Sequence, residues 1–501
     1  MIELAFFLYS IIMISTTNRP LIIQGGMGVA VSNYHLANTV AKLGQLGVVS
    51  GVGLENVLIR RLQNGDTNND MRRALAQFPR QDIAKRIIDD FYIEEGRKPQ
   101  ASYKLLPKFT LDPPQELIDV EIAAGFVEVW LAKEGHNNPI GINLLEKIQL
   151  SNLYTIYGAM LAGVDYVLMG AGIPREEPGI LDRLANGEIA EMSLYVEGAS
   201  PEEHYANKLN PAKFLGSDVS NLKRPNFLPI ISSVSLGTML KRRATGEVNG
   251  FVIEHHSAGG HNAPPRGQLQ LSESGEPIYG PRDEVLMEQI AALNLPFWMG
   301  GHFGTHEGLV KALNGGAAGV QVGTAFAFCE ESGITPSIKK SVFEALHLGK
   351  LHVATSPWAS PTGFPFKVVE IMESITEKVN YSMRKRLCDM GVLRQAFKDL
   401  TGNVSYRCPA APIEMFKNLG GKIEDTFNRV CLCNGLAATV GYAQVRPDGY
   451  IEKPIVTAGT FIEDIRNFLR DGSSSYSAAD VIKQLLGDIV PQTAQPNTAT
   501  E

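Results

Sequence analysis

Basic charge is in short supply in this chain: 46 Lys and Arg stand against 53 Asp and Glu, giving a net charge of -7 and a pI near 5.9. The cations are scattered, so the electrostatic footprint of a nucleic-acid binder, or of a protein that docks on anionic lipid, is missing. Cysteine is scarce too. Five in 501 residues cannot build a disulfide framework, and four of them crowd between positions 388 and 433, which fits a reducing cytoplasm. Long apolar runs are absent beyond residues 1–14, MIELAFFLYSIIMI, and that run falls short of the roughly 20 residues that cross a bilayer. It carries Glu3, no Lys or Arg and no small-residue cleavage pattern, so it does not read as a secretion signal. The expectation is a cytoplasmic protein with no membrane partner, translated from Met13 rather than Met1, and nothing in the composition excludes a homo-oligomer.

What the chain does have is an ordinary globular interior, 44% hydrophobic against 20% charged, and length enough for a large core. Short β-branched runs alternate with helical patterns: LIIQ at 21–24, LGVVSGV at 46–52, PIGINLL at 139–145, VDYVLMG at 164–170, FLPIISS at 227–233, GFVIEHH at 250–256, PFWMGG at 296–301 and GVQVGTAF at 319–326. Helical patterns separate them, among them NYHLANTVAKLGQ, NLYTIYGAMLAG, SLGTMLKRRATG, PRDEVLMEQIAALN and THEGLVKALNGG. Eight such units predict an α/β fold of the TIM (β/α)8 barrel type over 19–335, in preference to a doubly wound open sheet. Insertions at about 53–138 and 171–226 are placed to cover the barrel mouth or to form an interface. A mainly helical extension follows over 336–485, with helices expected at 336–347 and 382–398 and a capped one opening at Ser477 with Asp480. Residues 486–501 are too polar to order themselves.

In a barrel, chemistry gathers at the C-terminal ends of the strands. Three glycine-rich segments fall there: QGGMG at 24–28, WMGGHFG at 298–304 and QVGTAF at 321–326. The last two follow the seventh and eighth runs, the usual phosphate site of a barrel, and Gly300, Gly301, Gly323 and the Thr324 hydroxyl are the groups expected to meet a phosphate. The stretch EHHSAGGH at 254–261 holds three of the ten histidines. A metal site made of His255, His256 and His261 is disfavoured because adjacent side chains point apart on a strand. A structural loop and an acid-base role for His261 are the remaining readings.

QGGMG, EHHSAGGH and GGHFGTHEGLVKALNGGAAGVQVGTAF, in this order over roughly residues 19–370, resemble the nitronate monooxygenase (2-nitropropane dioxygenase) family, itself similar to flavin-dependent enoyl reductases of fatty-acid and polyketide synthesis. The resemblance implies a barrel that holds FMN non-covalently. It assigns the catalytic role to His261 and brings Ala258, Gly259 and Gly260 past the flavin, while the histidine cluster itself, apart from the resemblance, offers His256 as a supporting partner of an acid-base or substrate-orienting His261. Gly25, Gly26 and Met27 would approach the flavin ring, and Asn143 would reach the site from the third strand. The implied reaction is oxidation of an alkyl nitronate by O2 to a carbonyl compound and nitrite, His261 taking an α-proton when a neutral nitroalkane binds. The first loop reads GGMG where simpler nitronate enzymes carry proline and alanine, and the chain is much longer than they are. Both features keep open an NAD(P)H-dependent enoyl reductase acting on acyl, even carrier-protein-bound, substrates, and a flavin-binding or assembly protein without turnover.

Two features stand outside that resemblance. Cys388, Cys408, Cys431 and Cys433 are enough for a zinc or iron-sulfur site, although their spacing matches no standard signature and buried free cysteines are commonplace. Cys329 reads as core. SPTGFPFKVV at 360–369 places aromatic residues after the barrel, where packing of the extension is the expected role and a pocket wall the alternative.

Overall fold

In the computed structural model, which describes residues 19–216, 221–469 and 473–489, the eight runs become parallel strands: β1 (Ile22–Gln24), β2 (Gly47–Ser50), β3 (Ile140–Leu145), β4 (Tyr166–Gly170), β5 (Asn226–Ile231), β6 (Phe251–Ile253), β7 (Phe297–Gly300) and β8 (Gly319–Val322). Hydrogen-bonded neighbours run β1-β8-β7-β6-β5-β4-β3-β2. The ring closes at Leu46, whose N–H donates to Ile22 O at 3.1 Å and whose carbonyl accepts from Gln24 N–H at 2.9 Å. The fold is therefore a (β/α)8 barrel. The candidate starts Met1 and Met13, and residues 490–501 of the polar tail, lie outside the described residues.

Alternate side chains of the strands point inward, and Ile23, Leu46, Val48, Leu168, Leu228, Val252 and Trp298 fill the lumen as one buried cluster. Each contributes on the order of 1.5–3 kcal/mol of burial. Trp298 seals the floor, where its indole N–H donates to Pro20 O at 2.8 Å. At the other end the buried Gln24 stitches β1 to β2: its Oε1 accepts from Val48 N–H at 3.1 Å while its Nε2 donates to Gly25 O and Ser32 Oγ.

Four of the helices expected between strands form as read: Tyr34–Lys42, Asn152–Leu161, Val234–Arg243 and His306–Asn314. Asn33, Ser233 and Thr305 cap three of them through side-chain oxygens. The pattern at 281–294 does not give one helix. It breaks into a 3-10 turn at Pro281–Asp283 and a short helix at Met287–Ala291, because Asp283 accepts from Gly280 and Arg266 N–H groups instead of continuing a helical turn.

The insertion at 53–138 carries helices Leu54–Gln63, Asp70–Leu75, Gln81–Phe91 and Gln115–Ala132. The last lies against Asn152–Leu161 so closely that a Cβ on Gly158 would sit 2.0 Å from Ile122 O and one on Gly125 would sit 2.6 Å from Thr155 O. None of these helices lines the cavity at the strand ends, and the loop between the last two braces the extension: Tyr103 N–H donates to Gln444 Oε1 at 2.7 Å, Ser102 Oγ to Val445 O at 2.6 Å and Leu111 N–H to Tyr406 Oη at 2.5 Å.

The extension is mixed. Pro336–His347 and the capping-box helix Ala478–Leu486 are helical as expected, and between them β9 (His352–Ser356) and β10 (Phe366–Glu370) form an antiparallel hairpin. The helix expected over 382–398 is not there. Lys378–Met383 is a short helix, Gly391 has φ +68°, and Gln395–Lys398 pairs as a strand with Val404–Arg407. Among the described residues, no helix is long and apolar enough to cross a membrane.

Candidate active site

The C-terminal strand ends open into one cavity of about 260 Å³, and all twelve residues singled out in the sequence line it. Gly25, Gly26 and Met27 come from the loop after β1, Asn143 from β3, Ala258 to His261 from the loop after β6, Gly300 and Gly301 from the end of β7, and Gly323 and Thr324 from the turn after β8. Two glycines are fixed by space. A Cβ on Gly26 would stand 2.2 Å from Asn143 Cβ, so the first loop can lie on the third strand only without a side chain. Gly301 has φ +96°, and a Cβ there would meet His255 Cβ at 2.8 Å and Ser257 Oγ at 2.9 Å.

His261 sits where the loop after β6 bridges Phe366 of β10. Its Nε2 lies 2.7 Å from Ser360 Oγ, and its ring meets Phe366 edge-on at 4.9 Å between centroids. Burial among these groups disfavours the charged ring and lowers its pKa to about 4. The imidazole is neutral at pH 7. The stretch 360–369 thus does more than pack the extension: it supplies the partner and the aromatic wall of His261.

His256 does not support His261. Its ring stacks on Tyr279 at 4.3 Å, and its Nε2 lies 3.4 Å from Glu284 Oε1. His255 joins the same carboxylate at 3.1 Å, and His255, His256 and Glu284 form the one convergent group of three metal-ligand side chains among the described residues. The strand ends at Ile253, so the alternation expected to part these rings no longer operates, and their centroids are 4.0 Å apart. His261 is not part of that group. His302 lines the cavity and packs on His255 at 4.6 Å. His306 lies outside the cavity lining, its Nδ1 3.0 Å from Leu485 O.

Several cavity groups escaped the sequence reading. Glu254 directly follows β6, and burial pushes its carboxyl up to about 8. Its place before HHSAGGH was the available signal. Gln321 Oε1 is buried without a hydrogen-bond partner. The roof comes from the extension: Leu436, Ile455, Phe461, Ile465 and Phe468 line the cavity. Thr457 Oγ1 accepts from Gly260 N–H at 2.8 Å, and Gly459 N–H donates to Thr324 Oγ1 at 2.8 Å. No local pattern marks residues 100 and more positions after β8 as part of the barrel mouth.

The closed eight-stranded barrel has a glycine-lined cavity with a neutral histidine at its C-terminal end, the end at which barrel enzymes carry their sites. The chain resembles the nitronate monooxygenase family: residues 217–357 match the family model described as Nitronate monooxygenase. A probable nitronate monooxygenase of Bacillus subtilis (strain 168) is 39% identical over 95 residues, which is 19% of this chain and 25% of the relative, so the match spans about a quarter of that protein. Among solved structures, this chain is similar to FabK from Thermotoga maritima (TM-score 0.44, 15% identity, 95% of this chain and 94% of that one). It is also similar to nitroalkane oxidase from Streptomyces ansochromogenes (TM-score 0.45, 14% identity, 94% and 96%).

Proposed function

We propose that this protein is an FMN-dependent oxidoreductase that oxidises alkyl nitronates with O2 to a carbonyl compound and nitrite. The observation that carries the reading is the neutral His261 in a cavity framed by the glycine loops of β1, β6, β7 and β8. The cavity fits the cofactor by its donor set. No Lys or Arg lines it, so a phosphate would rest on the backbone at Gly300, Gly301 and Gly323 and on the Thr324 hydroxyl, which still has its proton to donate. The unpartnered Gln321 carbonyl is an acceptor for a ring N–H, and Gly25, Gly26, Met27, Asn143 and Ala258 to Gly260 would bound the ring.

When bound, FMN supplies the electron transfer that side chains cannot. The chain's own residues prepare the substrate. Nε2 pairs with Ser360 Oγ, and desolvation keeps the ring neutral at pH 7, so one of its two nitrogens retains a lone pair. His261 is thereby unprotonated and able to accept the α-proton of a nitroalkane, although the lowered pKa that keeps it neutral also makes it a weak base. The apolar roof limits the water that reaches the reacting carbon.

Glu254 favours a second reading. A carboxyl with a pKa of about 8 still holds its proton at pH 7, and NAD(P)H-dependent reduction of an enoyl compound needs such a donor. Anaerobic addition of a nitronate and, separately, of NADPH to the FMN-loaded protein decides between them. Bleaching by nitronate alone is the expected result, and bleaching by NADPH alone would replace the first reading with the second. His261→Ala is expected to lose oxidation of neutral nitroalkanes and to retain more of it with preformed nitronates. Equal loss on both would remove His261 from the proton-accepting role.

A further inference from the structure

The loop after β6 gathers more imidazole than the proposed reaction uses. His255 and His256 leave the strand together, and the Nε2 atoms of both approach one carboxylate, that of Glu284, which follows the 3-10 turn Pro281–Asp283. None of these three residues lines the active-site cavity, but Ser257, Gly301 and His302, which do, all stand against His255. We propose that His255, His256 and Glu284 bind a zinc ion behind that wall of the cavity, with water as the fourth ligand.

The spacing suits a coordination sphere. Nitrogen and oxygen ligands held at about 2.0–2.1 Å by a tetrahedral zinc stand roughly 3.3 Å from one another. Glu284 Oε1 lies 3.1 Å from His255 Nε2 and 3.4 Å from His256 Nε2, and one donor atom of each residue lies within 4.8 Å of the other two. Among the described residues no other three histidine, cysteine or carboxylate side chains converge in this way. The four late cysteines do not: the cavity lined by Cys388, Cys408, Cys431 and Cys433 measures about 10 Å³, about the room of one water, and a hydrogen bond already joins Cys431 to Cys433.

The ligands are also held from behind. His255 Nδ1 lies 2.7 Å from Ser257 Oγ, so zinc on Nε2 would put the ring proton on Nδ1, where the hydroxyl accepts it, the outer contact that metal-bound imidazoles make. His256 stacks on Tyr279 with the rings 8° from parallel, and Asp283, accepting from the Gly280 and Arg266 N–H groups, fixes the turn that delivers Glu284. The Glu284 side chain is 51% exposed against 13% for His255 and 29% for His256, so solvent reaches the fourth position from the carboxylate side. A bound dication would draw down the neighbouring Glu254 carboxyl, whose raised value is that of the metal-free protein, so its titration is to be read in chelator.

The test uses the full chain without a histidine tag, stripped with EDTA and titrated with zinc. One zinc per chain is expected. Glu284→Gln, on a half-exposed side chain, and His256→Gln should each weaken binding at least about a hundredfold, since even the outer partners of a zinc site are worth about tenfold to a hundredfold. Cobalt in place of zinc should show the visible bands of a four-coordinate site with nitrogen and oxygen ligands. An intense near-ultraviolet sulfur-to-cobalt band would place the ion on the cysteines and overturn the proposal, as would zinc that binds both variants as tightly as wild type. Absence of stoichiometric binding, the result expected if the two rings only share hydrogen bonds with Glu284, would also overturn it. If the variants fail to fold, the cobalt spectrum of the wild-type protein decides. Zinc held by a protein that takes up no FMN would sink the proposed function and leave this inference intact.

Discussion

Glu254 allows the electrostatics of the cavity to be tested without any substrate. Burial lifts its carboxyl from the ordinary 4.5 to about 8. In the flavin-free protein the folded chain then keeps a proton that the unfolded chain has released, so stability held at low pH is lost as the pH rises from 4.5 to about 8. Each pKa unit corresponds to about 1.4 kcal/mol, which sets an upper bound of roughly 5 kcal/mol at pH 8, and partial contact with water in the open cavity reduces this to about 2–3 kcal/mol. Glu254→Gln removes the titration and keeps the shape. Urea denaturation of both proteins is expected to give equal stability at pH 5, with the variant about 2–3 kcal/mol ahead at pH 8. Glu177 and Glu452 are also raised, to about 8 and about 7, but they are common to both proteins and cancel in the difference. Parallel stability curves from pH 5 to pH 8 would refute the reasoning.

Other perturbations separate positioning, space and roof. Gly26→Ala places a methyl 2.2 Å from Asn143 Cβ, so a loss of about 1–3 kcal/mol and weaker FMN retention are expected, read by urea denaturation and by cofactor content after gel filtration. Gly301→Ala combines a left-handed backbone with a 2.8 Å contact to His255 Cβ and is expected to lower the phosphate-bearing cofactor's affinity more than riboflavin's, measured by fluorescence titration. Ser360→Ala removes the 2.7 Å partner of His261 Nε2 and should lower kcat on neutral nitroalkanes by about tenfold to a hundredfold with KM little changed, since a misplaced base costs rate more than binding. Phe461→Ala, on a half-exposed roof residue, should raise KM for bulky substrates while changing stability by about 0.5 kcal/mol or less.

The barrel was legible in the sequence because its signal is local. Each strand is a short apolar run that ends in, or is followed directly by, glycine or a polar residue, and a glycine just past a strand, such as Gly26 or Gly301, announces itself without knowledge of its neighbours. The two failed helices show the limit of that signal. PRDEVLMEQIAALN has a helical pattern, but Asp283 and Glu284 are drawn to Arg266 N–H and to the His255–His256 pair, and these partners come from other loops. The segment 382–398 has the same kind of pattern, yet it contains Gly391 at positive φ and a strand whose partner lies at 404–407. In both cases contacts between segments outweigh propensity.

The active site divides along the same line. Its floor is made of loops that follow strands directly, so their order in the chain gives their order around the barrel, and glycine and histidine can be placed by counting strands. Its roof is made of residues such as Thr457, Gly459 and Phe461, which reach the cavity through a fold of the extension that no spacing encodes. The roof is also what makes His261 unusual: Ser360 and Phe366, both beyond the barrel, hold and desolvate the ring, so the extension sets the proton affinity of a residue that the barrel supplies. A barrel stripped of residues 336–489 would expose His261 to water, and its pKa should return toward 6.5, the ordinary value. The proton affinity of the histidine is therefore a property of the whole chain, and substitutions at Ser360 or Phe366 should shift its titration, followed by NMR of the imidazole, even though neither residue belongs to the barrel.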